Sequence, residues 1–516
     1  MDSTVLVVVG LVTVICVIVQ GYRKRRALLP PGPKPLPIVG NVSDLNSREL
    51  WLQVSQWARR YGEVVYLHIF GQGLLFLNTY EAAMDLLDKK GAIYSDKPAL
   101  VMVGELCGCD NMAAFTPYGE RFRRQRRLMQ AALGPGAIPS YHKLLEIETQ
   151  ALLKRLLDDP ADYERHIRRY AGSLTLLVVY GYRVTSNSDP YLKLAEECVD
   201  ILANRITSGG GIWPVDVLPF LKHLPPWLPG AGFRRKAAQW KAKMEEFVDK
   251  PFELVKSRMR QGTAIPCFCT TLLDEAAENK ENAAAQTDFD VRWTANSMYS
   301  ASIDTTSLVV RHFLLQMQLH PETAAKARQE IDSVVGTDRL PTFSDRPSLP
   351  YVDAVMTECL RTAAPVPLGL PHRLMEDDVY KGMHIPRGTL VFANVWDMTR
   401  NPEVYPDPEA FIPERYLEKV DPATASKRDP RNFVFGFGRR RCPGAQLVES
   451  SFWIVIACVL ATLDVRKELD PNGNPLEAEI VYENAIFRTP SSFPCAIQPR
   501  SNEAARLINT AVSLNA

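Results

Sequence analysis

One cysteine sits where its chemistry can be read from its neighbours. The run Phe433-Val434-Phe435-Gly436-Phe437-Gly438-Arg439-Arg440-Arg441-Cys442-Pro443-Gly444 leads straight into an apolar segment, Ser450 to Leu463. Cations and a helix N-terminus both favour the charged form of a thiol, so the pattern predicts a thiolate at Cys442. A thiolate serves as a nucleophile or a metal ligand. A nucleophile needs a paired base, which spacing alone does not locate. Zinc needs further ligands at close spacing, and none lie near Cys442. Haem iron takes one protein ligand on its proximal side, and cysteine is one that supplies it. A buried structural cysteine is the remaining reading. Cys107/Cys109 and Cys267/Cys269 lack companion ligands and read as structural.

Three further groups are candidates. Ala301-Ser302-Ile303-Asp304-Thr305-Thr306 puts an acid beside an alcohol in mid-helix, where both mildly disfavour helix. Its plain reading is a polar helix face. Glu358-Cys359-Leu360-Arg361 places opposite charges at i, i+3 on one helix face, a pair worth little at a surface. Arg121 to Arg127, which includes Arg126, reads as a solvated or membrane-facing basic patch, and His372 as an ordinary surface histidine.

The elements that must hold these residues follow from periodicity. Val64 to Leu77 alternates around Gly71 and Gly73 and predicts a hairpin. Tyr80 to Lys90 is helical, as is most of Gly119 to Arg260, with breaks at Gly209–Gly211 and Leu224–Gly230. Asp290 to Leu319 is a long helix without Pro or Gly. Pro341 to Arg361 is a loop and a helix, and Val379 to Val395 short strands. Ser450 to Leu463 is too short to span a bilayer and reads as a core helix. The expected fold class is mainly α with small β-sheets. The 516 residues would suit three domains by length, but no interior linker or repeat divides them, so one large domain is expected.

Lys and Arg total 60 and Asp and Glu 59, which argues against a whole-surface nucleic-acid footprint; no nucleic-acid partner is expected. Hydrophobic residues at 46% and charged residues at 23% fit a globular chain with a sizeable core. Ser3 to Tyr22 carries no charge and is just long enough to cross a hydrocarbon core of ~30 Å. Arg23 to Arg26 follow at once, so the flank after the span is expected in the cytosol. The expected division is a transmembrane signal anchor at 1–22, a basic and Pro-rich hinge at 23–40, a catalytic body at 41–500 and a C-terminal tail at 501–516. A cytosolic body is reducing, which argues against disulfides among the 10 cysteines. Gly436-Phe437-Gly438 is followed by Arg441 where a dinucleotide fingerprint needs Gly, and no Walker A sequence is present. Electrons for any redox chemistry must come from another protein.

Taken together these residues resemble the cytochrome P450 superfamily. Phe435, Gly438, Arg440, Cys442 and Gly444 fill its F-x-x-G-x-R-x-C-x-G haem loop. Glu358 and Arg361 match its E-x-x-R, and Phe411-Ile412-Pro413-Glu414-Arg415 the segment that supplies a third member, Arg415. The resemblance runs from the Pro-rich hinge to about Cys495. It implies that Cys442 is the axial thiolate of a heme b iron, and that Glu358, Arg361 and Arg415 form a buried network. It implies that Thr305 hydrogen-bonds dioxygen and Asp304 relays protons. Ser302 stands where glycine is usual, a change expected to narrow the pocket or add a hydroxyl donor. Arg126, His372 and Arg440 are implied partners of the haem carboxylates, with Phe122 replacing the usual Trp. Val101, Met102, Val366, Leu368, Ile486 and Phe487 are the implied pocket residues, all apolar.

The resemblance implies a monooxygenase of the endoplasmic reticulum membrane, single-pass, with a cytosolic catalytic domain. It would insert one atom of O2 into a hydrophobic small molecule, with electrons from NADPH–cytochrome P450 reductase. Arg439 and Arg441 are expected parts of the docking face. The hinge, mid-region and C-terminal details look most like fungal enzymes of secondary metabolism, which points to a terpenoid substrate, or an aromatic or indolic one. Two alternatives stand beside this: a haem-thiolate isomerase or dehydratase needing no reductase, and a non-catalytic haem-binding membrane protein.

Overall fold

The computed structural model describes residues 28–45, 49–207, 213–278, 284–477, 480–482 and 486–514. The expected anchor at 1–22 and the basic cluster at 23–26 lie outside the described residues.

The expected hairpin is present. β1 (Val64–Ile69) and β2 (Gln72–Leu77) pair antiparallel from Val64 with Leu77 to Ile69 with Gln72. Phe70 and Gly71 between them are both left-handed, the two-residue turn whose twist matches the strands. β3 (His372–Arg373) pairs with β6 (Leu390–Ala393), and β6 pairs in parallel with β2, giving the order β1-β2-β6-β3. β4 (Asp378–Tyr380) and β5 (Met383–Ile385) form a second hairpin, and β7 (Leu463–Arg466) pairs with β8 (Ala496–Pro499). α1 (Leu50–Tyr61) lays Val54 and Trp57 against Val65, Leu67 and Phe76 of the first hairpin. The Pro-rich stretch does not stand free: the Tyr66 N–H donates to Pro31 O at 2.8 Å and the Asn41 N–H to His68 O at 2.7 Å. Asn41, the first residue of an Asn-x-Ser sequon, is 1% exposed and holds Asp44 with its side-chain amide at 2.9 Å, so it offers no site for glycosylation.

The helical body comprises α2 (Glu120–Leu133), α3 (Ile138–Asp158), α4 (Tyr163–Tyr180), α5 (Pro190–Asp200), α6 (Gly232–Arg260), α7 (Phe268–Glu278), α8 (Ala284–Leu319), α9 (Pro321–Val334), α10 (Pro350–Ala363), α11 (Ala445–Thr462) and α12 (Asn502–Ser513). α8 is the spine. Its 36 residues extend ~54 Å and pack most heavily on α4, with α2, α5, α6, α7, α10 and α11 around it. α11 is long and apolar enough to cross a membrane by length and composition, but most of it is buried in the protein core, as its apolar residues on every side demand. Among the described residues three helical turns are π-type, Met84–Lys89, Val101–Leu106 and Ile201–Thr207. α12 occupies most of the C-terminal tail. It docks on α3 with Ala504 and Ile508 buried, and Arg500 just before it pairs with Asp332 at 2.6 Å.

Candidate functional site

The loop before α11 is shaped by two contacts. The Cys442 N–H donates to Phe435 O at 2.7 Å, closing the turn. Gly438 is left-handed, and a Cβ there would collide with the Leu87 carbonyl oxygen, so glycine is required. The loop delivers Cys442 to the start of α11, where the Gly444 and Ala445 N–H groups point at its sulfur. Cys442 has accessible surface, yet burial raises its thiol pKa above the ordinary value. The sulfur is thus accessible at the start of α11 yet closely surrounded by protein.

Both influences expected on the Cys442 thiol, the helix N-terminus and nearby arginines, act on it, and burial opposes them. Burial outweighs the two N–H groups, Arg126 and Arg441, which pull the pKa down. Of the three flanking arginines only Arg441 bears on the sulfur. Arg439 turns to the Tyr118 hydroxyl and ring. A coordinated metal ion deprotonates a thiol outright and would reverse this balance.

Arg440 is a clamp. Its Nε donates to Ser95 O at 2.7 Å, Nη1 to Ala113 O at 3.0 Å and Nη2 to Thr116 O at 2.7 Å. The guanidinium carbon lies 3.5 Å from the Phe122 ring centre, so the phenyl face carries a cation. Burial brings the Arg440 pKa down to about 9, with Asp96 acting the other way. His372 is not a surface histidine: it is buried, its Nδ1 lies 2.8 Å from Tyr94 O, and burial, Lys97 and Arg440 hold it well below the ordinary value. Lys97, absent from the sequence reading, joins the group; it is buried and donates to Pro371 O at 2.9 Å. Asp96 is the acid of the cluster. It accepts the Tyr118 N–H at 2.7 Å and pairs with Arg373 at 3.1 Å. Arg126, half-buried beside Cys442 and Arg440, makes no side-chain hydrogen bond or ion pair among the described residues.

The middle of α8 opens on one face. Ala301 is exposed although it lies halfway along a core helix, and Thr305 one turn on is half-buried, its hydroxyl donating to Ala301 O at 2.8 Å. Ser302 points elsewhere. Its oxygen accepts from Thr175 of α4 at 2.7 Å and its hydroxyl donates to Tyr299 O at 3.0 Å, so it neither narrows the open face nor adds a donor to it. Burial raises the Asp304 pKa, with Arg168 of α4 opposing, Asp200 of α5 adding and Arg311 opposing. The charges around Asp304 thus come mainly from α4 and α5.

The Glu–Arg–Arg network is fully built. Arg361 donates to Glu358 with Nε at 2.8 Å and Nη2 at 2.7 Å, and both side chains are 0% exposed. Arg415 donates at 3.4 Å, and the Tyr416 hydroxyl and Ile412 N–H each at 2.9 Å. The arginines also take the carbonyls of Thr399, Asp407, Pro408 and Ala410, which fixes the chain approaching the Cys442 loop onto α10.

Residues 30–486 match the family model of cytochrome P450. The chain belongs to the cytochrome P450 family. It is 41% identical over 499 residues to the cytochrome P450 monooxygenase claT of Ampulloclitocybe clavipes, covering 96% of this chain and 97% of that one. It is 40% identical over 488 residues to cytochrome P450 monooxygenase 136 of Postia placenta, covering 94% and 91%. The claR monooxygenase of A. clavipes is 39% identical over 504 residues. This P450 is therefore a monooxygenase of the haem-thiolate class, with the mainly α fold expected of it. The family works on hydrophobic substrates with electrons from a redox partner.

The residues fit a haem. A haem presents two carboxylates and an iron that takes a thiolate. Lys97, Arg126, His372 and Arg440 form one cluster with Asp96, already paired to Arg373, as its acid, and Arg126 is unengaged. The Cys442 sulfur lies next to that free guanidinium.

Proposed function

We propose that this protein inserts one oxygen atom from O2 into a hydrophobic small molecule, a terpenoid or related secondary metabolite. Electrons come from NADPH through NADPH–cytochrome P450 reductase at the endoplasmic reticulum membrane. The observation that carries the reading is the accessible Cys442 sulfur at the start of α11, beside Arg126, which has no side-chain partner among the described residues. In this reading Cys442 holds the iron of heme b, and Arg126, His372 and Arg440 face its carboxylates. The haem supplies activation of dioxygen. Thr305, on the open face of α8, offers its hydroxyl to dioxygen. Asp304, kept protonatable by burial, passes protons from the α4 and α5 side. Arg123, Arg127 and Arg439 are exposed, and Arg123 and Arg439 flank the Tyr118 ring at 5.8 and 5.3 Å, which supports docking of an acidic electron donor here. Leu218, Phe220 and Trp227 are exposed at 45%, 64% and 77%, near Lys222, Arg235 and Lys236. Exposed aromatics edged by basic side chains suit a membrane surface.

The test is spectroscopic. Reduced protein with carbon monoxide should give the thiolate-type difference spectrum, and Cys442→Ser should lose it. Survival of that spectrum in the variant removes Cys442 as the ligand. Thr305→Ala should divert NADPH consumption from product to peroxide, and unchanged coupling would end the role given to Thr305.

A further inference from the structure

The chain from Ser95 to Thr116 forms an arch whose two feet are held by one side chain. Arg440 takes the carbonyl of Ser95 at one foot and those of Ala113 and Thr116 at the other. The far foot has a second tie, the Ala113 N–H to Ser297 Oγ of α8 at 2.9 Å. Ser297 is one turn before Ala301, on the same helix face. The feet therefore stand at the Cys442 loop and at the open face of α8.

The crown is the π-helical turn Val101–Leu106, with Val101, Met102 and Val103 buried. It packs against α6, the π turn Ile201–Thr207, a short helix, Pro214–Val217, and the turn Pro219–His223. Two polar ties cross this seam. Asp216 Oδ1 accepts the Met102 N–H at 2.8 Å, and the Val101 N–H also points at that carboxylate. Lys222 pairs with Glu105 at 2.6 Å, but both are solvent-accessible and such a pair holds little. The first N–H groups of a helical turn have no partner within it, and a carboxylate is the strongest group to satisfy them. Asp216 has no cationic partner among the described residues, so it is committed to the crown.

We propose that Asp216 is a specificity-determining residue: it pins the Val101–Leu106 crown to the Pro214–Val217 helix, keeps the arch shut beside Cys442, and so sets the size of ligand admitted. This rests on the reading that Cys442 holds the haem. Because the feet are tied independently, loss of Asp216 loosens the crown on its Pro214–Val217 side and leaves the feet in place.

Haem-loaded wild type, Asp216→Ala and Asp216→Asn are compared with two iron-binding probes, imidazole and the bulky azole clotrimazole, by stopped-flow absorbance. Clotrimazole should associate about tenfold faster with Asp216→Ala, the factor expected for losing a charge-assisted hydrogen bond that holds the closed state. Imidazole should be unaffected. Asp216→Asn, which keeps an acceptor oxygen but no charge, should fall between. Amide hydrogen exchange should quicken over 101–106 and not over 445–462. The proposal is overturned if a variant with a normal thiolate-type spectrum shows unchanged clotrimazole association, or equal change for both probes. Unchanged exchange over 101–106 overturns it as well. If Asp216→Ala does not load haem, Asp216→Asn decides. If wild type itself lacks the thiolate-type spectrum, the haem reading falls, and exchange over 101–106 alone decides whether Asp216 holds the crown.

Discussion

Glu358→Gln is the sharpest perturbation of the scaffold. The carboxylate is fully buried and accepts five hydrogen bonds, two from Arg361 and one each from Arg415, Tyr416 and Ile412. Glutamine keeps the volume and one oxygen, but turns the other oxygen into an NH2 facing donors. Two buried guanidinium groups then lose the carboxylate they share. Removing one partner of a buried pair costs about 3–5 kcal/mol, a large share of the roughly 5–15 kcal/mol that holds a domain folded. For a unit of this length the unfolding entropy is about 1 kcal/mol per degree, so the midpoint should fall about 3–5 °C. The assay is the thermal midpoint of the haem-loaded protein at one fixed scan rate. Arg205→Met is the control. It breaks a 3.0 Å pair with Asp200 whose side chains are 60% and 43% exposed, and its shift should lie within error. If Glu358→Gln shifts the midpoint no more than Arg205→Met, the argument that burial sets the worth of this network is refuted.

Two other outcomes are expected. His312 is buried, 2.9 Å from the Thr362 hydroxyl, and held well below its ordinary pKa by burial and by Arg488, Arg400 and Arg361. The unfolded chain binds a proton there below about pH 6.5 and the folded chain does not, so stability falls as pH drops; His312→Gln should flatten the acid slope, from urea midpoints, by about 1.4 kcal/mol per pH unit, and parallel slopes would contradict this. Gly438→Ala should abolish haem loading because its Cβ meets the Leu87 carbonyl, whereas Gly436→Ala, left-handed but with its nearest neighbour at 3.9 Å, should only reduce the yield; equal yields by carbon monoxide spectrum would contradict the steric account.

Much of the fold was legible because its signals are local. The hairpin, the long α8 and the buried α11 each follow from a period or an apolar run. The Cys442 loop and Glu358–Arg361 were legible because their partners lie within a few residues of one another. What sequence missed depends on packing. Lys97 and Asp96 reach Arg440 from 343 and 344 positions away (440 − 97 and 440 − 96), with only a charged pair before Pro98 to mark them. The burial that opposes ionisation of Cys442 is likewise a packing effect, which flanking arginines do not reveal. Ser302 was placed correctly on α8, but its direction was fixed by Thr175 of another helix.

The parallel pairing of β2 with β6 has a consequence for synthesis. Leu74 and its partner Leu390 are 316 residues apart. At about 5–20 residues per second, roughly 15–60 s pass between the first hairpin leaving the ribosome and the arrival of its neighbour strand. Through that interval β2 offers an open, apolar edge to whatever is nearby. Rare codons or a stalled ribosome between Tyr80 and Thr389 would lengthen it, so the yield of this protein in a foreign host should depend on translation speed across that span as much as on haem supply.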